Sequence, residues 1–193
     1  MRISANVQPC VFLLAAASLL LLPIPWLIAW CIALIVHELS HYIVLKILRI
    51  PVHSVKIGIS GAQIKTGPIS DGKQVLCALA GPLGGLSLCM FSELFPRLAV
   101  CALVQSVYNL IPLYPLDGGR VLSGLLILIL GNNRGTLWAK RTEILFLVIL
   151  LAGGTYLTIL LQMSPLVFLL LLLFIIRSVK IKLPCKAQKQ IVQ

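Results

Sequence analysis

Acidic side chains are nearly missing from this chain: five Asp and Glu stand against sixteen Lys and Arg in 193 residues, and charged residues make up only 11% of it. Ordinary soluble domains carry about 25%. With 60% of positions hydrophobic, this composition excludes a soluble globular protein, and no stretch is polar enough to form a separate soluble domain. A formal net charge of +11 would suggest nucleic acid in a soluble protein. Here the basic residues stand between long apolar runs and beyond the last of them, so they read as membrane-orienting charge and no nucleic-acid partner is expected. Paired cysteines of the C-x-x-C kind are also absent. Cys10, Cys31, Cys77, Cys89 and Cys101 lie in apolar runs and Cys185 in the basic tail, which reads as small apolar filler.

What is present is a series of apolar runs, most of them near the ~20 residues that a membrane helix needs. Spans are predicted at 7–22, closed by Pro23-Ile24-Pro25, and at 26–48, the two forming a tight helical hairpin, then at 75–95, 98–113, 144–161 and 166–176. The first run meets no small-residue cleavage site, so an uncleaved span is expected rather than a signal peptide. The stretch 121–130 is apolar but short, and charge decides its place. If it does not cross, the N-terminus, the connections 46–73 and 117–141 and the tail share one side, with fifteen basic residues and only Arg97 opposite. That bias places both termini in the cytosol and makes 121–130 a partial or interfacial helix.

Between the second and third spans, Val55, Ile57 and Ile59 alternate ahead of Ser60-Gly61, and Ile64 follows, so 52–70 predicts a short β-hairpin on the cytosolic side. The expected fold is an all-α integral membrane protein of the cell membrane, multi-pass with about six transmembrane helices and this hairpin. It divides into a polytopic domain over 1–176 and a basic cytosolic tail over 177–193 that lies against anionic headgroups of the lipid bilayer.

With so few titratable groups, their positions carry information. The carboxylates are Glu38, Asp71, Glu93, Asp117 and Glu143, and the histidines are His37, His41 and His53. Three of these eight form His37-Glu38-Leu39-Ser40-His41 inside the second span. Positions i and i+4 share a helix face, so His37 and His41 can bind one metal ion while Glu38 handles the proton of a water there. With three His and three Glu in the chain, H-E-x-x-H arises by chance in roughly seven chains in ten thousand. Two imidazoles and a carboxylate near the middle of an apolar helix would cost several kcal/mol unless something coordinates or solvates them. His37 lies roughly 16 Å along the helix from Trp26, at 1.5 Å per residue, so water must reach that depth.

A catalytic zinc site has three protein ligands and an exchangeable water, which leaves one ligand to find. Glu93 falls at the far end of the third span, and Asp71, Glu143 and His53 fall in or beside cytosolic connections, where solvation explains them. Asp117 differs. It follows a helix broken by Pro112 and Pro115 and precedes Gly118-Gly119, a pattern that lets non-helical backbone enter the protein and aim a carboxylate inward.

H-E-L-S-H in one span, and Asn109-Leu-Ile-Pro-Leu-Tyr-Pro-Leu-Asp-Gly-Gly-Arg120 at the end of a later one, resemble the two signatures of the site-2 proteases, which are zinc intramembrane metalloproteases. The order of spans resembles the branch containing the sporulation stage-four protease. The resemblance covers roughly 7–176 in layout, and its specific motifs occupy under twenty residues. It implies that His37, His41 and Asp117 hold Zn2+, that Glu38 is the catalytic carboxylate, and that Asn109 binds the substrate or the oxyanion. Read without the resemblance, Asn109 has a helix–helix hydrogen bond as its alternative role. Ala80-Gly81-Pro82-Leu83 resembles a third, weaker signature that usually carries Asn where this chain has Gly85, so close helix packing through Gly81, Gly84 and Gly85 is the safer reading there. No extension able to fold as the nucleotide-sensing module of some relatives follows Lys182.

The implied activity is hydrolysis of a peptide bond in or near the transmembrane segment of a membrane-bound substrate protein, as in regulated intramembrane proteolysis, with a regulatory membrane protein as a further partner. The alternative is a membrane metal transporter using the same His-Glu-x-x-His helix as a transport site. Such carriers need polar ligands on several helices and usually a His-rich loop, and His53 is the only other histidine here.

Overall fold

The computed structural model describes residues 4–7, 23–58, 61–66, 69–114 and 116–160. Five α-helices and three short strands make up its elements: β1 Ser4–Val7, α1 Ile24–Ile47, β2 Val52–Gly58, β3 Gly61–Thr66, α2 Asp71–Ser87, α3 Pro96–Asn109, α4 Asp117–Leu130 and α5 Asn132–Leu160. A 3-10 turn, Leu88–Phe91, extends α2. Most of the span at 7–22, the span at 166–176 and the tail at 177–193 lie outside the described residues.

Local chemistry sets the limits of α1. Pro23 and Pro25 flank its first turn, where a missing N–H costs nothing because that turn has no partner for it. At the other end Ile50 N–H donates to Leu45 O at 3.0 Å and Arg49 N–H to Lys46 O at 3.1 Å, with Arg49 at φ 54°. This is a Schellman termination with arginine in the left-handed position that glycine usually takes, and Pro51 then forbids any continuation.

Small side chains let the helices approach closely. Ala29 and Ala33 of α1 meet Cys101 and Ala102 of α3 in a buried cluster, with Leu88 and Leu98 against it. α2 runs antiparallel to α1, since Cys77 lies opposite His41 while Gly84 lies against Val36 and Ser40. α3 runs back along α2, with the Cys89 thiol on the Ala99 carbonyl and Ser106 against Gly85. α4 leans on α2 where Gly124 meets Val75, and α5 leans on α4 where Gly135 meets Ile127.

The helix limits depart from the apolar pattern in instructive ways. The third predicted span ends earlier, as α2 stops at Ser87 and tightens into the 3-10 turn. The fourth stops at Asn109 rather than 113. The fifth predicted span is the C-terminal part of α5, which starts far earlier, at Asn132. The stretch 121–130 belongs to α4, whose 14 residues reach about 21 Å, short of a ~30 Å hydrocarbon core.

The 52–70 segment contains two antiparallel strands in the register Val55↔Ile64, Ile57↔Ala62 and Gly58↔Gly61, with an irregularity between Val52 and Ser54. β1 joins them on the other side of β2, parallel, with Ser4 opposite Ser54. An all-α reading therefore omits this strand. Val7, which apolarity alone assigns to the first span, closes β1 instead.

Two described helices, Ile24–Ile47 and Asp71–Phe91, are long and apolar enough to cross a membrane. Large apolar side chains stand exposed along α1 (Ile24, Ile28, Ile32, Ile35) and α5 (Ile144, Leu145, Val148, Ile149). At about 25 cal/mol per Å² of apolar surface, such faces are unfavourable in water and at home in hydrocarbon. The protein is a membrane protein.

Candidate metal centre

Two helices converge on one point. α1 supplies His37, which is 3% exposed, and His41 one turn later on the same face. Asp117, 6% exposed, opens α4. The Nε2 atoms of His37 and His41 each lie 3.1 Å from Asp117 Oδ2 and 3.3 Å from one another. At bond lengths of about 2.0–2.1 Å, two ligands of a tetrahedral zinc ion stand about 3.3 Å apart. The three atoms thus already have the spacing of three ligands on one ion, and a tetrahedral ion would keep a fourth position for water or substrate. Two nitrogens and one oxygen are also donors that suit zinc.

The hydrogen bond on the far side of His41 supports this reading. Its Nδ1 donates to the Cys77 carbonyl at 2.7 Å, and because a carbonyl can only accept, the Nδ1 proton is fixed there. In the neutral ring Nε2 is left with its lone pair towards His37 and Asp117, the tautomer that a metal requires. On the other side, Arg120 Nη1 stands 3.9 Å from Asp117 Oδ1, a partly exposed charge that adds little attraction but lies beside the oxygen that does not meet the histidines.

Space for the imidazoles comes from Gly81 of α2. A Cβ there would press on His41 Nε2, lie 2.6 Å from His41 Cε1 and 2.7 Å from His37 Nε2. The close helix packing expected at Gly81 is thus packing of α2 against the two rings of α1. Gly81→Ala should weaken zinc binding at least ~10-fold, measured by competition with a chromogenic chelator. Gly72→Ala, which meets nothing within 4 Å, should bind zinc as the unmodified chain does.

The link 110–116 aims Asp117. Leu113 (1% exposed) and Leu116 (9%) anchor it in the interior, and Leu116 N–H donates to Leu113 O at 2.8 Å. Gly118 and Gly119 then let the first turn of α4 lie directly on that link: a Cβ at Gly118 would strike the Leu110 carbonyl, and one at Gly119 would come within 2.5 Å of Leu113 C and 2.6 Å of Tyr114 N. A carboxylate in the first turn is also favoured by the helix dipole.

No family model matches the chain. A protein of Synechocystis sp. named "Putative zinc metalloprotease sll0528" is 30% identical in an alignment 142 residues long that covers 61% of this chain; the chain spans 37% of that relative's length. The site-2 protease from Methanocaldococcus jannaschii superposes with a TM-score of 0.64, covering 93% of this chain and 91% of that one at 23% identity. The chain has the site-2 protease fold.

Within this fold the remaining sequence candidates are distributed unevenly. Glu38 is half-buried on α1 beside the two histidines. Asn109, half-buried at the end of α3, donates from Nδ2 to the Gln105 carbonyl of its own helix at 3.1 Å. Glu93 is exposed and Asp71 is half-buried in the first turn of α2. The His53 side chain lies outside the description.

Glu143 corrects the sequence reading. Its place beside a cytosolic connection predicts solvation, but it is 8% exposed and accepts a hydrogen bond from Tyr114 N–H. Its flanking residues, Lys140 and Arg141, are exposed and gave no sign of this. The Cys77 carbonyl has no side-chain signature at all, so nothing in the sequence could point to it.

Proposed function

We propose that the protein is a zinc metalloprotease of the site-2 protease family that hydrolyses a peptide bond in or beside the transmembrane segment of a membrane-bound substrate protein. The observation that carries this is the triangle of His37 Nε2, His41 Nε2 and Asp117 Oδ2, with edges of 3.1, 3.1 and 3.3 Å, next to a carboxylate on the same helix turn. Its resemblance in sequence to the sporulation stage-four branch, the site-2 protease fold and the partial match to the Synechocystis protein point the same way.

Zinc, when bound, supplies Lewis acidity and lowers the pKa of water towards 7. His37, His41 and Asp117 would hold it, Gly81 makes room for the rings, and the Cys77 carbonyl keeps the His41 tautomer correct. Glu38 takes the proton of the attacking water and returns it to the leaving amine. Asn109, on releasing Gln105, donates to the developing oxyanion. A transmembrane substrate hides its carbonyls in i to i+4 hydrogen bonds and must unwind locally before Glu38 can act on it. β3 is an edge of the described sheet, and its outer backbone groups can take the unwound segment by strand addition. Six spans, cytosolic termini and a regulatory membrane partner complete this picture of regulated intramembrane proteolysis.

The test is direct. Purified protein in proteoliposomes should cut co-reconstituted membrane proteins, stop when a chelator strips the metal, and resume on addition of Zn2+. Zinc flux down a gradient without any cleavage would establish the carrier reading instead.

A further inference from the structure

Glu143 is the one described carboxylate whose burial the metal site does not explain directly. It lies on α5 next to half-buried Thr142 and exposed Ile144, yet is itself 8% exposed. A carboxylate withdrawn from solvent is costly unless hydrogen bonds replace the water it gave up. Its Oε1 accepts from the Tyr114 backbone N–H at 3.2 Å. Tyr114 belongs to the link 110–116, three residues ahead of Asp117.

A chain of close contacts joins this bond to the metal centre. The Tyr114 nitrogen that Glu143 holds is the same atom that would lie 2.6 Å from a Cβ on Gly119, so the first turn of α4 rests on it. That turn begins with Asp117, whose Oδ2 closes the triangle on His37 and His41. Since α4 touches the link through bare backbone, a shift of Tyr114 passes to Asp117 with no flexible side chain to absorb it.

We propose that Glu143 is a positioning residue: by holding Tyr114 N–H it fixes the link against α5 and sets the place of the Asp117 carboxylate opposite the two histidines. The inference rests on the metal reading above and adds a residue from α5, which supplies none of the three ligand atoms. The Tyr114 N–H needs an acceptor oxygen, which Gln also presents at that point and Leu does not.

The experiment uses full-length protein stripped of metal and titrated with Co2+, followed by its visible absorption and by competition with Zn2+. Glu143→Leu should weaken Co2+ binding about 10–100-fold, the range for residues that orient a ligand, and change the absorption bands as Asp117 leaves its position. Glu143→Gln should bind within about twofold of the parent with the same spectrum. Should the Leu variant fail to accumulate, Glu143→Asp, which shortens the reach by one methylene, should show the same changes in smaller degree. The proposal is overturned if Leu, or Asp in its place, keeps the parent affinity and spectrum while only lowering the unfolding midpoint of the metal-free protein, or if Gln loses as much as Leu. If the parent binds no Co2+ at all, the metal reading falls and this inference with it. If the parent binds and the variants match it, this inference alone fails.

Discussion

Asp117→Asn should strip the protein of zinc and abolish cleavage, while Asp71→Asn and Glu143→Gln leave both largely intact. Among the described residues, Asp117 Oδ2 is the anionic atom that lies 3.1 Å from both His37 and His41 Nε2. With a neutral amide there, the two imidazole nitrogens, 3.3 Å apart, lose the charge that favours a cation between them. The affinity loss should exceed the ~10–100-fold that outer-shell changes cost, because a ligand itself is altered. Asp71 lies in the first turn of α2, away from the trio, and Gln at 143 keeps an acceptor for Tyr114 N–H. Metal content after gel filtration and cleavage of a reconstituted substrate provide the two readouts. Full zinc occupancy in Asp117→Asn would mean that another residue completes the site.

Glu38→Gln should separate binding from chemistry. Gln is nearly isosteric with Glu but cannot accept the proton of the attacking water, so turnover should fall by about 10²–10⁴-fold, the usual share of general acid–base catalysis. Zinc content should stay at one ion per chain, since the trio at 3.1–3.3 Å does not include Glu38. Uncut substrate should then co-purify with the variant, and a proteomic comparison of membrane-protein fragments between the two forms would identify it. His37→Ala and His41→Ala should lose metal and activity together. A Glu38→Gln protein that cleaves as fast as the parent would remove the carboxylate from the reaction.

How far the sequence reaches depends on how local each feature is. His37 and His41 are legible because four residues on a helix always return to the same face, and both lie on α1. Asp117 is legible by elimination, since only five carboxylates exist and only this one follows two prolines and precedes two glycines. β1 is not legible. Its four residues gain their strand geometry from β2, some fifty positions away, and carry no pattern of their own. What Gly81 packs against is not legible for a related reason, because a glycine in an apolar helix suggests close packing whether its neighbour is a helix backbone or an imidazole. The burial of Glu143 is not legible because exposed Lys140 and Arg141 shortly precede it, and only the link folding across α5 takes it out of solvent.

The sequence by itself determined the membrane class and the half of the His–His–Asp cluster that one helix carries, because composition and helical periodicity act within a few turns of chain. The tertiary structure decided how that half is completed: the Asp117 carboxylate lies 80 residues from His37 and 76 from His41, and the Cys77 carbonyl 36 from His41. No local preference fixes a distance across such separations. It is set to 3.1 Å by α4 resting on the link through bare glycine backbone, by α2 leaving a side chain out at Gly81, and by two buried leucines that hold the link in place.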